Sequence, residues 1–264
     1  MLYRIFNILS KQKFLFRFII SRIFIKSGLL NSFYFIRNNY KIYFNESSLT
    51  LALWVNKNER INEENFICSY IKEGNTVVDV GSNIGNISLP CAQNVGISGK
   101  VLAFEPQIKI YDYFIKNIKI NNLEKIIKPF NLALGDKKDF LKITNNSDDT
   151  TNQIIENGSI GVKIDQLDNF IKDDVHFLKI DVEGYEFEVL KDLYGAIDHE
   201  SILLIKLHPS EDIAKYSFLT TNPHILVIKQ THVSKLIEFS SVLIGMGSML
   251  LIEASLIKKN VYSY

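Results

Sequence analysis

Only two cysteines occur in the 264 residues, Cys68 and Cys91, and their spacing matches no zinc-ligand or redox motif. They read as buried, reduced thiols of a cytosolic protein. Long apolar runs are missing too. Residues 14–36 are rich in Phe, Ile and Leu, but Arg17, Arg22 and Lys26 interrupt them well short of the about 20 apolar residues that a spanning helix needs. The same cations break any secretory apolar core, and no small-residue cleavage pattern follows. Acid is absent from residues 1–45, which carry eight basic side chains, whereas the remainder carries 22 basic against 29 acidic residues. The net charge of +1 therefore hides a basic arm on an acidic body. Such a body is a poor surface for long nucleic acid, so no nucleic-acid partner is expected.

What is present suits one α/β domain with an extension. Residues 1–55 read as a helical N-terminal extension and residues 56–264 as the main domain. Within the arm, Arg22 and Lys26 fall nearly opposite Lys13 and Arg17 at about 100° per residue, so the helix is not cleanly amphipathic. Two readings of residues 1–45 stand: a helix docked on the domain, or peripheral contact with an anionic membrane surface. Cytoplasmic residence is expected, and the second reading adds association with the inner membrane face.

Beyond the arm, Tyr40–Phe44 alternates like an edge strand and Glu63–Ile71 has helical spacing. Then strands and helices alternate, which implies parallel strands with crossover helices. Strands are expected at Thr76–Val80, Val101–Phe104, Ile126–Leu134 (interrupted by Pro129), Phe177–Ile180 and Ser201–Leu207. Asp139–Ile143 reads as a short extra strand, and Ile225–Ile228 and Met249–Ile252 complete the sheet. Ile108–Ile120 is a helix ended by Asn121-Asn122, and the polar Asn145–Gly158 is a mobile loop.

The stretch Thr76-Val-Val-Asp-Val-Gly-Ser-Asn-Ile-Gly-Asn86 combines a buried strand, a glycine turn and a following helix. Backbone N–H groups can meet a ligand closely there. Glu105 ends the second strand, where a carboxylate can accept hydrogen bonds from both hydroxyls of a ribose. Gly81 and Gly85 form G-x-x-x-G rather than G-x-G-x-x-G, and Asp79 would repel phosphate while suiting an amino group. Ribose plus a cationic amino-acid tail, without phosphate, describes S-adenosyl-L-methionine. A nicotinamide oxidoreductase fits these features less well.

Val78-Asp-Val-Gly-Ser-Asn-Ile-Gly85, Ala103-Phe-Glu-Pro106, Asn131-Leu-Ala-Leu-Gly-Asp136, Leu167-Asp168 and Lys179-Ile-Asp-Val-Glu-Gly184 with Glu186 occur in order. Over roughly residues 60–210 this set resembles the FkbM-type methyltransferases, a branch of the S-adenosylmethionine-dependent enzymes. The resemblance implies a Rossmann-like class I methyltransferase fold, α/β, with a mostly parallel seven-stranded sheet and helices on both faces. It also implies methyl transfer to a hydroxyl, often of a sugar or natural product. By the family pattern, Asp79, Gly81, Asn83 and Gly85 would hold the methionine tail and Glu105 the ribose. Asn131 and Ala133 would border the adenine, and Asp181 would lie beside the cofactor. One departure is Lys206, at a fifth-strand position where the family often carries an acid.

Methyl transfer to oxygen needs an aligned acceptor and a base for its proton. Asp181 ends the fourth strand, and Glu183 and Glu186 follow on one face, where neighbouring carboxylates raise one another's pKa. Helix-dipole stabilisation is the competing role for those two acids. His208, at the end of the fifth strand, is a candidate base or a structural histidine. Asp181 with another acid could hold magnesium, but the spacing does not demand a metal. The leading expectation is O-methylation of a sugar in a glycan or glycolipid. Methylation of a small secondary metabolite and a non-catalytic binding module are the alternatives.

Overall fold

A computed structural model describes residues 14–27, 33–135, 137–144, 146, 152, 158–171, 175–181, 203–206, 214, 225–228, 243–245 and 261–263. Strands β1 (Tyr34–Arg37) and β2 (Tyr40–Tyr43) form an antiparallel hairpin, preceded by helix α1 (Leu15–Ser27). Helices α2 (Ser48–Val55) and α3 (Ile61–Tyr70) lead into β3 (Thr76–Val80), α4 (Ser88–Val95), β4 (Lys100–Phe104) and α5 (Ile108–Ile120). Strands β5 (Ile127–Phe130), β6 (Ala133–Leu134), β7 (Asp139–Ile143), β8 (Ile160–Asp165) and β9 (Phe177–Ile180) follow.

Four strands join in one parallel sheet, in the order β5-β4-β3-β9. The first strand of the α/β body, β3, therefore has the second on one side and a much later strand on the other. Strand order reverses at that point, the place where open α/β sheets bind ligands. The sheet is buried on both faces, which is why β3 reads as a nearly unbroken apolar run. Val77, Val101 and Ala103 face one core with Ile84, Leu89 and Phe114, and Val78, Val80, Leu102 and Phe104 face a second with Leu134 and Leu167. In the second core the Phe104 and Phe130 rings stack at 4.9 Å, and Phe170 meets both edge-on.

Most expected elements are present, with informative differences. The run Ile126–Leu134 is two strands in two sheets. Pro129 is accommodated because β5 is an edge strand, where one missing N–H costs no ladder bond. β6 leaves that sheet and pairs with β8, which lies against β7 in a separate three-stranded sheet. β8 and the hairpin strand β1 have no counterpart in the sequence reading; β1 lay within the stretch assigned to the arm. Of the seven strands expected in the main sheet, the described residues join four. β10 (Leu203–Lys206) and β11 (Ile225–Ile228) pair in parallel, as do β12 (Leu243–Gly245) and β13 (Val261–Ser263). The expected strand Met249–Ile252 and the helix through Val189 and Leu190 lie outside the described residues.

The hairpin is built into the body. Tyr40, Ile42, Leu49 and Leu53 share the first core with Ile67, Val77 and Val101, so a boundary drawn at residue 55 runs through a continuous core. Side-chain amides from α5 satisfy the outer edge of β2. Asn117 Oδ1 accepts from the Tyr43 N–H, and Asn121 both accepts from Lys41 N–H and donates to Lys41 O, each at 2.8 Å. Asn117 Nδ2 also donates to Ile84 O at 2.9 Å, which fixes the glycine turn to the same helix. Helix α1 docks on Trp54: the indole Nε1 donates to Arg17 O at 3.1 Å, and the Arg17 guanidinium stacks 4.3 Å from the ring centroid. Phe24 packs against Phe33, Phe44 and Trp54. No described helix is long and apolar enough to cross a membrane.

Asn117 is fully buried, so replacing it by Ala strands the Tyr43 N–H and the Ile84 carbonyl. An unsatisfied buried group costs about 1–3 kcal/mol, and a loss of at least that size is expected in urea denaturation. A change below about 0.5 kcal/mol, the range of neutral surface substitutions, would refute this role.

Candidate active site

Parallel register sets the site. Val80 is level with Phe104 on one side and Ile180 on the other, and Phe104 is level with Phe130. The next residues, Asn131, Glu105, Gly81 and Asp181, therefore form a row along the carboxyl ends of four adjacent strands. Backbone hydrogen bonds extend the register: Glu105 N–H donates to Phe130 O, Gly81 N–H to Phe104 O and Asp181 N–H to Val80 O, each at 3.0 Å.

Positive φ angles shape the turn after β3: Gly81 at 78°, Asn83 at 48° and Gly85 at 89°. A Cβ on Gly85 would sit 2.3 Å from a Phe114 ring carbon, so Gly85 is needed for space as well as conformation. The helix that follows the turn opens at Ser88. Between the glycines Asn83 acts locally, with its Oδ1 accepting from Ile84 N–H at 2.8 Å.

Glu105 is buried, and each carboxylate oxygen accepts a backbone N–H: Oε2 from Asn83 at 2.9 Å and Oε1 from Gln107 at 2.8 Å. A carboxylate oxygen can accept more than one hydrogen bond, so bracing the turn is compatible with meeting a diol. Asn131 Nδ2 donates to the carbonyls of Glu105 and Pro106, at 2.9 and 3.1 Å, holding the end of β4 in place. Ala133 is buried on β6.

Asp79 is 0% exposed and lies behind the turn. Its Oδ2 accepts from Ser88 Oγ at 2.6 Å, and its Oδ1 is 3.3 Å from Lys179 Nζ. Sequence reasoning expected the Asp79 carboxylate to meet a ligand amino group, but the protein supplies an ammonium of its own. The signal was the parallel register, which sets Asp79 directly opposite Lys179. Lys179 Nζ also donates to Gly81 O at 3.1 Å and lies 3.6 Å from Asp181 Oδ2. Burial alone would lower the pKa of this ammonium, yet Asp79, Asp181 and Glu63 outweigh burial and hold it above its ordinary value.

On its other side Asp181 faces Arg60, Nη1 to Oδ2 at 3.8 Å. Its ion-pair partners among the described residues are Lys179 and Arg60, and the Glu63 carboxylate is close enough to interact with it. Glu183, Glu186 and His208 lie outside the described residues. The nearby acid whose pKa is raised is Glu63, pushed up chiefly by burial and drawn partly back by Arg60 and Lys179. Among the described residues no three His, Cys, Asp or Glu side chains gather as a metal site.

Arg60 was not singled out by sequence. It has a left-handed backbone (φ 53°) and is held by Arg37, which is buried in the hairpin. Arg37 donates to Glu64 Oε1 at 2.6 Å, to Lys57 O at 2.8 Å and to Glu59 O. Cys91 is buried and free, and Cys68 is half-buried and free.

Polar capacity at the turn fits an amino-acid tail. Two buried side-chain atoms at the turn, Ser82 Oγ and Asn86 Nδ2, have no hydrogen-bond partner among the described residues. A hydroxyl and an amide NH₂ grouped in this way are what the carboxylate of such a ligand would satisfy. A cleft of about 340 Å³ opens beside Gln107, lined also by Glu46, Ser47, Lys109, Tyr113 and Asn152. Asn152 Nδ2 donates to Gln107 Oε1 at 2.7 Å, which ties this part of the expected mobile loop to the end of β4. The cleft is on the Glu105 side, two strands and so about 10 Å from Asp181. It flanks the expected nucleoside end of the row.

A family model described as the methyltransferase FkbM domain matches residues 79–219, more than half of the chain. Hexuronic acid methyltransferase AglP of Haloferax volcanii is 24% identical over 147 residues, which cover 53% of this chain and 59% of that protein. Two solved structures overlap over short segments. An S-adenosylmethionine-dependent O-methyltransferase from Thermotoga maritima shares 26% identity over 26% of this chain and 27% of its own, with a TM-score of 0.26. Trm5 of Methanocaldococcus jannaschii, in complex with adenosine, shares 22% identity over 37% and 28%, with a TM-score of 0.29.

Replacing Lys179 by Met leaves Asp79 buried without its cation, which should cost about 3–5 kcal/mol in urea denaturation. Adding Asp79→Asn should recover a large part of that loss. A double variant no more stable than the single one would show that the pair does not hold the strands together.

Proposed function

Because the chain belongs to the FkbM methyltransferase domain family, we propose that it is an S-adenosylmethionine-dependent O-methyltransferase whose acceptor is a sugar hydroxyl in a glycan or glycolipid. The observation that carries the reading is the row Asn131, Glu105, Gly81 and Asp181 along four adjacent strand termini, an order that suits a ligand with nucleoside, tail and reacting ends. The similarity to a hexuronic acid methyltransferase supports a sugar acceptor. The acidic body argues on charge against a long nucleic acid as acceptor.

In this reading Glu105 accepts the two ribose hydroxyls, while Asn131 and Ala133 border the adenine. Asp79, Gly81, Asn83 and Gly85 shape the pocket for the amino-acid tail, whose carboxylate meets Ser82 and Asn86. When bound, S-adenosylmethionine supplies a methyl group on a sulfonium, open to in-line attack by oxygen. The protein's part is to hold the acceptor hydroxyl in line and take its proton. Asp181 is the base, its carboxylate oriented by Lys179 and Arg60. Glu183, Glu186 and His208 remain proposed contributors on the acceptor side.

Two substitutions test the roles. Asp181→Asn should lower turnover by about a hundredfold or more while S-adenosylhomocysteine still binds in calorimetry. Near-normal turnover would exclude Asp181 as the base. Glu105→Gln should weaken S-adenosylhomocysteine by roughly tenfold or more, since a hydrogen bond to a charged group is worth about 1.5–3 kcal/mol. Unchanged affinity would end the ribose assignment. For the acceptor, labelled-methyl transfer should mark fractionated cell-surface glycans or lipids, and label entering only RNA or only small metabolites would overturn the sugar reading.

A further inference from the structure

Helix α1 keeps two faces apart in a way that its sequence conceals. At about 100° per residue, Arg17, Ile20, Ser21 and Phe24 share one side. That side is docked: Ser21 is buried, and Arg17 and Phe24 pack on Trp54. Leu15, Phe16, Ile19, Arg22, Ile23 and Lys26 fill an arc of about 120° on the opposite side. All six are exposed, with Phe16 at 76% and Ile23 at 58%. The apparent conflict among the cations is resolved by their separate uses. Arg17 is spent on docking, whereas Arg22 and Lys26 stand on the exposed face.

Phe33, itself exposed, stacks on Phe24 at 5.1 Å at the margin of the helix, whereas Tyr34 and Ile36 alternate to the other side of β1 from Phe33 and Phe35 and are not part of this face. Exposed apolar side chains gathered as on α1 mark an interaction site. The charge around them identifies the partner: Arg22 and Lys26 stand among them, and no acid occurs before Glu46. Aromatic and aliphatic wedges with cations at their margin suit the boundary between acyl chains and anionic headgroups.

We propose that the outward face of α1 is a docking surface for an anionic lipid bilayer. Phe16, Ile19 and Ile23 enter the interface, Arg22 and Lys26 contact headgroups, and Trp54 holds the helix so that its wedges point away from the body. Attachment is peripheral and salt-sensitive. The surface is independent of the reading of the active site, since none of its residues belongs to the strand-end row.

The test is sedimentation of the full chain with phosphatidylcholine vesicles, with and without phosphatidylglycerol. Binding is expected to the mixed vesicles, with little to phosphatidylcholine alone, and to weaken as salt rises. F16E/I23E should lower it about tenfold or more, and R22E/K26E should abolish the preference for phosphatidylglycerol. Trp54 is the only tryptophan, so unchanged emission shows that the helix stays docked in each variant. Equal sedimentation of both variants and the unaltered chain, or absence of binding by the unaltered chain, would overturn the proposal. So would a dimer in light scattering that F16E/I23E dissolves, since the face would then belong to a second copy.

Discussion

A single buried ammonium organises the centre of this protein. Lys179 reaches across the sheet to Asp79, touches the carbonyl of Gly81 and approaches Asp181. It thereby connects the interior of the first strand, the start of the glycine turn and the candidate base. Asp79 could not be fully buried without it, because an unpaired carboxylate in a dry interior is costly. The pairing also gives the family pattern a structural meaning. The acid in the turn motif and the lysine of the later motif are two halves of one ion pair, separated by a hundred residues in sequence and level in the sheet.

Around that pair the site is assembled almost wholly from backbone register. Parallel pairing fixes which residue follows each strand, and the row from Asn131 to Asp181 results. Side chains then lock the ends: Glu105 braces the turn through Asn83, and Asn131 holds the carbonyls of Glu105 and Pro106. Asn117 carries the same order outward, from the turn through α5 to the hairpin.

Much of this was legible in the sequence, for identifiable reasons. β3, β4, β9 and α5 announce themselves through apolar runs and helical spacing, and their terminal residues mark the row. Harder to read was anything decided by distant pairing. The split of Ile126–Leu134 depends on β6 finding β8, which local propensity cannot show. The cation that pairs with Asp79 comes from another strand, which the local sequence around Asp79 does not show. Arg60 carried no motif at all; its placement depends on Arg37 holding the neighbouring carbonyls. The arm looked ambiguous for a related reason, since its faces become distinct only once Trp54 claims one of them.

Arg37 carries one more implication. Its guanidinium is shared between the hairpin, Glu64 and the segment that presents Arg60 to Asp181. The hairpin and the carboxyl end of β9 are therefore joined through one buried side chain and the segment it holds, so the hairpin belongs to the support of the candidate site.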